Sequence, residues 1–232
     1  MKNIINIIKY NFAKYNMGVG KVFYIIGLIL ILLVNISTFT RVPYVSEILS
    51  FINIGFVATF LAVNFITSIV IFYKQISRDE GRLIFTFPIK AWEFITAKFI
   101  EFIIIQGGFA MIVYLFSLIS ANSVSSLVRL VSVSTAFGTI VAYIFIASFT
   151  VIFSSYFNNA GLVILAVILG GGFIQSIVEG VIWAVTRVFP YVYMRVGTFI
   201  EVDIINTLLS LAWTGVLVYM AIYHLDKKLD II

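Results

Sequence analysis

The sequence has no cysteine, one histidine, three prolines and few charges: Asp, Glu, Lys and Arg make up 11% of its 232 residues. Without cysteine there is no disulfide, thiolate metal site or thiol nucleophile. The single histidine, His224, lies at the end of an apolar run. It has no second imidazole with which to share a metal ion or a catalytic proton, so it reads as an interfacial or solvated side chain. G-x-S-x-G and H-x-x-x-H patterns are absent. The stretch GVGK, Gly18 to Lys21, lacks the upstream glycine and the following Ser or Thr of a phosphate loop. Catalytic and metal-ligating residues are therefore expected to be none. The net charge of +5 and pI near 9.4 are not accompanied by any basic cluster with interleaved aromatics, so nucleic acid is not an expected partner.

What is present is oil. Hydrophobic residues make up 62% of the chain and the mean hydropathy is +1.14, against roughly 25% charged residues in an average soluble domain. A soluble fold would have to bury several uncharged runs of about 20 residues in one core, whereas a bilayer accepts each as a span. The expected fold is an all-α integral membrane domain, 1–232, with six spans at about 22–40, 48–73, 102–121, 130–153, 160–178 and 204–223. Residues 1–20 place Ile4, Ile5, Ile8 and Phe12 on one helical face and Lys2, Asn6 and Lys9 mostly on the other. That is the pattern of a helix lying in the membrane surface and touching lipid. No small-residue cleavage site follows it, so the N-terminus is expected to be retained. From Leu130 to Val178 no charge occurs, and one helix of that length would reach about 73 Å across a hydrocarbon core of roughly 30 Å. It must be two spans, broken within SSYFNNAG, Ser154 to Gly161.

The positive-inside rule orients this plan. Eleven of the 15 Lys and Arg residues fall on one side and four, Arg41, Arg129, Arg187 and Arg195, on the other. The first side is read as cytoplasmic, with both termini there, in a cell membrane. Residues 179–203 become exterior, yet they carry Trp183, Phe189, Tyr191 and Tyr193 among Val and Ile. They are expected to form a re-entrant or interfacial segment with Pro190 breaking a helical pair.

As drawn, none of the spans holds an ionisable residue of the kind that ion-coupled transporters use, so energy for uphill movement would come from a partner. Uncharged polar groups do occur. Asn53, Phe60, Asn64 and Thr67 fall near one stripe of the second span, and Asn206, Ser210 and Thr214 recur every four residues in the sixth. Interhelical hydrogen bonding is the plain reading of each. For the Asn53 to Thr67 stripe, lining of a translocation pathway is a second. The Gly170 to Gly172 run permits close packing, a flexible point, or both.

The densest charge lies between the second and third spans. Lys74 to Glu101 holds nine of the 25 charged residues, and at about 2.5 to 3.5 kcal/mol per charge at a bilayer centre it must sit in water. Ser77 and Glu80 make a capping box for a short helix toward Phe85. Pro88 breaks it, and a second amphipathic helix from Ile89 leads into the third span. The run Arg78 to Glu101 resembles the first cytoplasmic loop of ABC exporter permeases of the type-2 class. Glu80, Gly81, Arg82, Leu83, Thr86, Pro88 and Lys98 match, while Phe87 replaces the usual leucine. The plan of surface helix, six spans and apolar exterior segment is also similar over nearly the whole chain.

The resemblance implies a permease subunit without a catalytic site of its own. Arg78, Asp79, Glu80, Gly81, Arg82, Thr86 and Pro88 would form a coupling helix and turn seated on a separate ABC ATPase subunit, which would hold ATP and Mg. Asn158 and Asn159 would lie near a second, smaller contact. A second permease, identical or homologous, would complete the pathway in a bacterial plasma membrane. The short chain is similar to small permeases that export amphipathic or antimicrobial peptides; lipid or drug export is the alternative. A stand-alone secondary transporter, a channel or a non-transporting subunit are the readings from other classes.

Overall fold

The structure, a computed structural model, describes residues 2–14, 25–29, 32–33, 45–76, 89–119, 125–189, 193–196 and 200–229. Among them are five helices long and apolar enough to cross a membrane. The protein is helical, with the make-up of a multi-pass membrane protein. The expected first span, 22–40, lies outside the described residues except for helical stretches at 25–29 and 32–33.

In chain order, α1 is Lys2–Lys14, α2 Val45–Ile76, α3 Ala91–Ile119 and α4 Ser125–Tyr156. Next come α5, Ala160–Leu165, a π-helical turn, Ala166–Gly171, and α6, Gly172–Val188, which continue one another as a helix of 29 residues. A short antiparallel hairpin follows, β1 Tyr193–Val196 and β2 Ile200–Asp203, with Tyr193 opposite Asp203 and Val196 opposite Ile200. It is the one departure from helix among the elements described. The last helix, α7, is Ile204–Leu229.

The chain divides into two compact units. The first contains α1, α2 to Gln75, α3 and α4 to Tyr143; the second contains α4 from Ile144 onward. In the first, Val57, Phe60 and Leu61 of α2 meet Phe109, Ala110 and Val113 of α3 and Val128 and Ala136 of α4. Phe60 stacks on Phe109 with ring centroids 3.8 Å apart. A Cβ at Gly27 would stand 2.7 Å from the Phe60 ring, so only glycine fits there. A second aromatic group is centred on Tyr143, stacked on Phe102 at 4.0 Å and met edge-on by Phe72 and Phe99.

The second unit is held more sparsely. A Cβ at Gly171 would press on the Phe149 ring at 3.2 Å, and one at Gly170 on Phe153 at the same distance. The glycine run thus buys close approach to α4. Helix starts are capped by side chains: Asn159 Oδ1 accepts from Gly161 N at 2.8 Å, and Asp203 Oδ1 accepts from Asn206 N at 3.0 Å. Phe157 to Asn159 form the break between α4 and α5, inside the Ser154 to Gly161 stretch.

Two helices extend past the bounds expected of their spans. The helix of the expected third span begins at Ala91, so the amphipathic segment expected from Ile89 and the apolar run from 102 are one continuous helix. The helix of the expected fifth span runs on past 178 to Val188, up to the break expected at Pro190. The reason is local. VIWAVTRV contains no breaker, and the stop comes where Phe189 is extended, at φ −93° and ψ 141°, as a residue before proline prefers.

Candidate functional site

Residues 77–88, and with them Arg78, Asp79, Glu80, Gly81, Arg82, Thr86 and Pro88, lie outside the described residues. Their downstream flank is well defined. Lys90 O accepts from Glu93 N and Phe94 N, and Glu93 Oε2 accepts from Lys90 N at 3.2 Å, a reciprocal cap that starts α3. The glutamate also favours the positive end of the helix dipole.

The first turns of α3 are clamped by α1. Asn3 Nδ2 donates to both Glu93 carboxylate oxygens at 3.1 Å, and Asn11 Nδ2 donates to Glu101 Oε2 at 2.9 Å. Both pairs are 90 residues apart, so the two helices run in the same direction, in step. Between these ties, Lys98 Nζ lies 3.1 Å from Glu101 Oε2, with the two side chains only 5% and 12% exposed. Ions this deep persist because each has a partner; removing one strands the other. Helix α1 is therefore more than a surface float, since its Asn11 side is built into the foot of α3. At the end of α2, Gln75 is buried, and among the described residues neither its amide nitrogen nor its amide oxygen has a hydrogen-bond partner.

Higher in the first unit, α2, α3 and α4 are pinned by amides. Asn64 Nδ2 donates to Gln106 Oε1 at 2.6 Å, while Gln106 Nε2 donates to Thr139 Oγ1 at 2.7 Å and to Leu61 O at 3.1 Å. Thr139 Oγ1 in turn bonds the carbonyls of Thr135 and Ala136 in its own helix. Of the stripe read as a pathway lining, Asn53, Phe60 and Asn64 are buried in the helix packing. Thr67 is half-buried and its hydroxyl bonds Val63 O and Asn64 O.

In the second unit Asn158 and Asn159 are both exposed. The longer fifth helix brings a carboxylate with it: Glu179 stands on α6, exposed, one turn beyond Gln175. Gln175 Nε2 donates to Glu179 Oε1 at 2.9 Å, and Gln175 Oε1 accepts from Trp213 Nε1 of α7 at 2.9 Å. A carboxylate within a spanning helix costs about 2.5 to 3.5 kcal/mol at the bilayer centre, and such groups normally face water, a partner or a substrate path. Asn206, Ser210 and Thr214 bond among themselves and to their own backbone: Ser210 Oγ meets Asn206 Oδ1 at 3.3 Å and Thr214 Oγ1 meets Ser210 O at 2.8 Å. Among the described residues no group of three His, Cys, Asp or Glu side chains comes together to hold a metal ion.

No family model, no curated protein sequence and no solved structure matches this chain.

Three functional candidates went unmarked in the sequence. Gln106 is the sole amide in an apolar stretch, IIIQGGF, and that isolation was the available signal. The Lys98 and Glu101 pair shows the three-residue spacing of helical neighbours. Glu179 follows the expected fifth span as its first charge, and the absence of a breaker before Pro190 is the signal that the helix continues through it.

Proposed function

We propose that the protein is the membrane-spanning permease subunit of an ATP-driven ABC exporter, working with a cytoplasmic ATPase subunit that carries ATP and Mg. The observation that supports it most is the clamp at the foot of α3. The charged loop before α3 resembles a coupling loop, and α3 begins at Ala91, close behind it, with its base tied to α1 by Asn3, Asn11, Glu93 and Glu101. A push on such a loop would reach a braced helix and pass into the spans. A free, unbraced loop would dissipate it.

In this reading Arg78, Asp79, Glu80, Gly81, Arg82, Thr86 and Pro88 seat on the ATPase, with Asn158 and Asn159 at a smaller contact. A second permease completes the pathway, in a cell membrane with the charged loop cytoplasmic. The cargo class is amphipathic or antimicrobial peptides. The stripe Asn53, Phe60, Asn64 and Thr67 would line a pathway only in a conformation where Asn64 leaves Gln106. The test is the double charge reversal Glu80→Lys with Arg82→Glu. It should uncouple ATP hydrolysis from export while leaving membrane insertion intact, and undiminished export would sink the proposal.

Glu179 favours a second reading, ion-coupled transport without an ATPase, because it supplies the intramembrane carboxylate that such transporters use. Export that follows an imposed proton or sodium gradient in the absence of ATP would select it.

A further inference from the structure

The Glu179 arrangement has more built into it than a stray surface charge. Glu179 lies five residues past the midpoint of the helix Ala160–Val188, roughly 7 Å along its axis. The exposed positions of its helix are largely apolar: Phe173, Ile177 and Val181 stand out on the other faces, and Trp183 on the face of Glu179 itself. The carboxylate is nonetheless fixed in place. The indole N–H of Trp213 can only donate, so it sets which way round the Gln175 amide stands, and that amide then presents its N–H to Glu179 Oε1. A side chain tethered through a second helix has lost much of its freedom before any ligand arrives.

The same face has room and an aromatic wall. Gly172, Ser176 and Gly180 are exposed and follow at four-residue spacing beside Glu179. A Cβ added at Gly172 or Gly180 would meet nothing within 4 Å. Trp183, one turn beyond Glu179, is 62% exposed. The nearest basic residue on the helix, Arg187, is occupied over the Trp183 ring at 5.1 Å. Among the described residues Glu179 has no ion-pair partner. An oriented carboxylate with open space beside it and an aromatic one turn away, on a helix whose other exposed positions are apolar, is complementary to a cation carried on an apolar body.

We infer that Glu179, oriented by Gln175 and Trp213, is a recognition site for the ammonium group of a cationic amphiphile. This rests on the exporter reading for its biological role and names the cargo's charge. Glu179 makes the ionic contact, and Gln175 and Trp213 are positioning residues.

The test uses the full chain in phosphatidylcholine nanodiscs, with empty discs as background. The probes are a fluorescent amphipathic leucine–lysine peptide and the same peptide with every lysine acetylated. Wild-type protein should bind the lysine form at least about tenfold more tightly. Glu179→Gln should abolish that preference, Glu179→Asp should keep part of it, and Gln175→Leu should weaken it about threefold with Glu179 still present. Equal binding of the two peptides by the wild type overturns the site without reference to any variant. An unchanged preference in folded Glu179→Gln overturns it as well, as does Glu179→Gln dissociating a dimer in place of losing peptide. The two proposals separate cleanly: a lysine preference lost in Glu179→Gln, with no ATPase responding to peptide, overturns the exporter reading alone. A peptide-stimulated ATPase indifferent to Glu179→Gln overturns the site alone.

Discussion

The two units solve the same problem in different ways. The first closes on itself: amides link α2, α3 and α4, a buried ion pair sits at the foot of α3, and aromatic rings stack at 3.8 and 4.0 Å. The second leaves α5, α6 and α7 mostly exposed, and among the described residues α6 is tied to α7 by the side-chain bond from Trp213 to Gln175. Lipid tails are as apolar as leucine, so helices in a bilayer gain little from burying oil against oil; polar bonds and close packing have to supply the specificity. By that standard the first unit is built to stay together and the second to present surface.

The contrast breaks most visibly at Lys98. Lys98→Met should leave Glu101 buried without its cation and cost about 3 to 5 kcal/mol, seen as a large fall in the thermal midpoint of detergent-purified protein. Lys98→Met combined with Glu101→Leu should recover much of the loss, because no stranded charge remains. A smaller fall is expected for Gln106→Leu, which takes the acceptor from Asn64 and the donor from Thr139, at about 1 to 3 kcal/mol. A double-mutant cycle of Asn64→Leu with Gln106→Leu should show coupling of about 0.6 to 1.7 kcal/mol. Smaller again is Gly171→Ala: its methyl would meet Phe149 at 3.2 Å and should cost on the order of 1 kcal/mol through overpacking. If Gly171→Ala proved as damaging as Lys98→Met, the second unit would be as tightly built as the first.

Gln75 sharpens the contrast from the other direction. Among the described residues it is a buried amide with neither polar atom bonded, so Gln75→Leu should leave stability unchanged or raise it by about 1 kcal/mol, since an unpaired buried amide is a penalty. A loss of ATPase response in a variant of undiminished stability would assign the amide to coupling.

Much of the architecture could be read from the sequence, for reasons that are physical. Apolar runs of spanning length have few alternatives to helix in a bilayer, and the Asn159 turn broke the 49-residue uncharged run between Leu130 and Val178 where α4 ends. What charge does not mark is where a helix ends. Glu93, Lys98 and Glu101 precede the apolar run of the expected third span and Glu179 follows that of the fifth, and each is continuous in helix with it. A helix ends where its backbone is interrupted, as at Pro190, and a charge can stay on it when a neighbouring side chain meets it. The partners that do so, Asn3, Asn11 and Gln175, lie on other helices or a turn away, and local periodicity alone does not choose among such pairs.

The proposed function turns on the charged loop before α3 as the place where an ATPase would drive this chain. The most direct measurement is whether the tagged full chain, purified from its own membranes, brings an ABC ATPase with it, followed by ATP hydrolysis of the complex against that of the free ATPase. A stable complex with altered hydrolysis is expected, lost in Glu80→Lys with Arg82→Glu. A chain that purifies alone while moving peptide without ATP would contradict it.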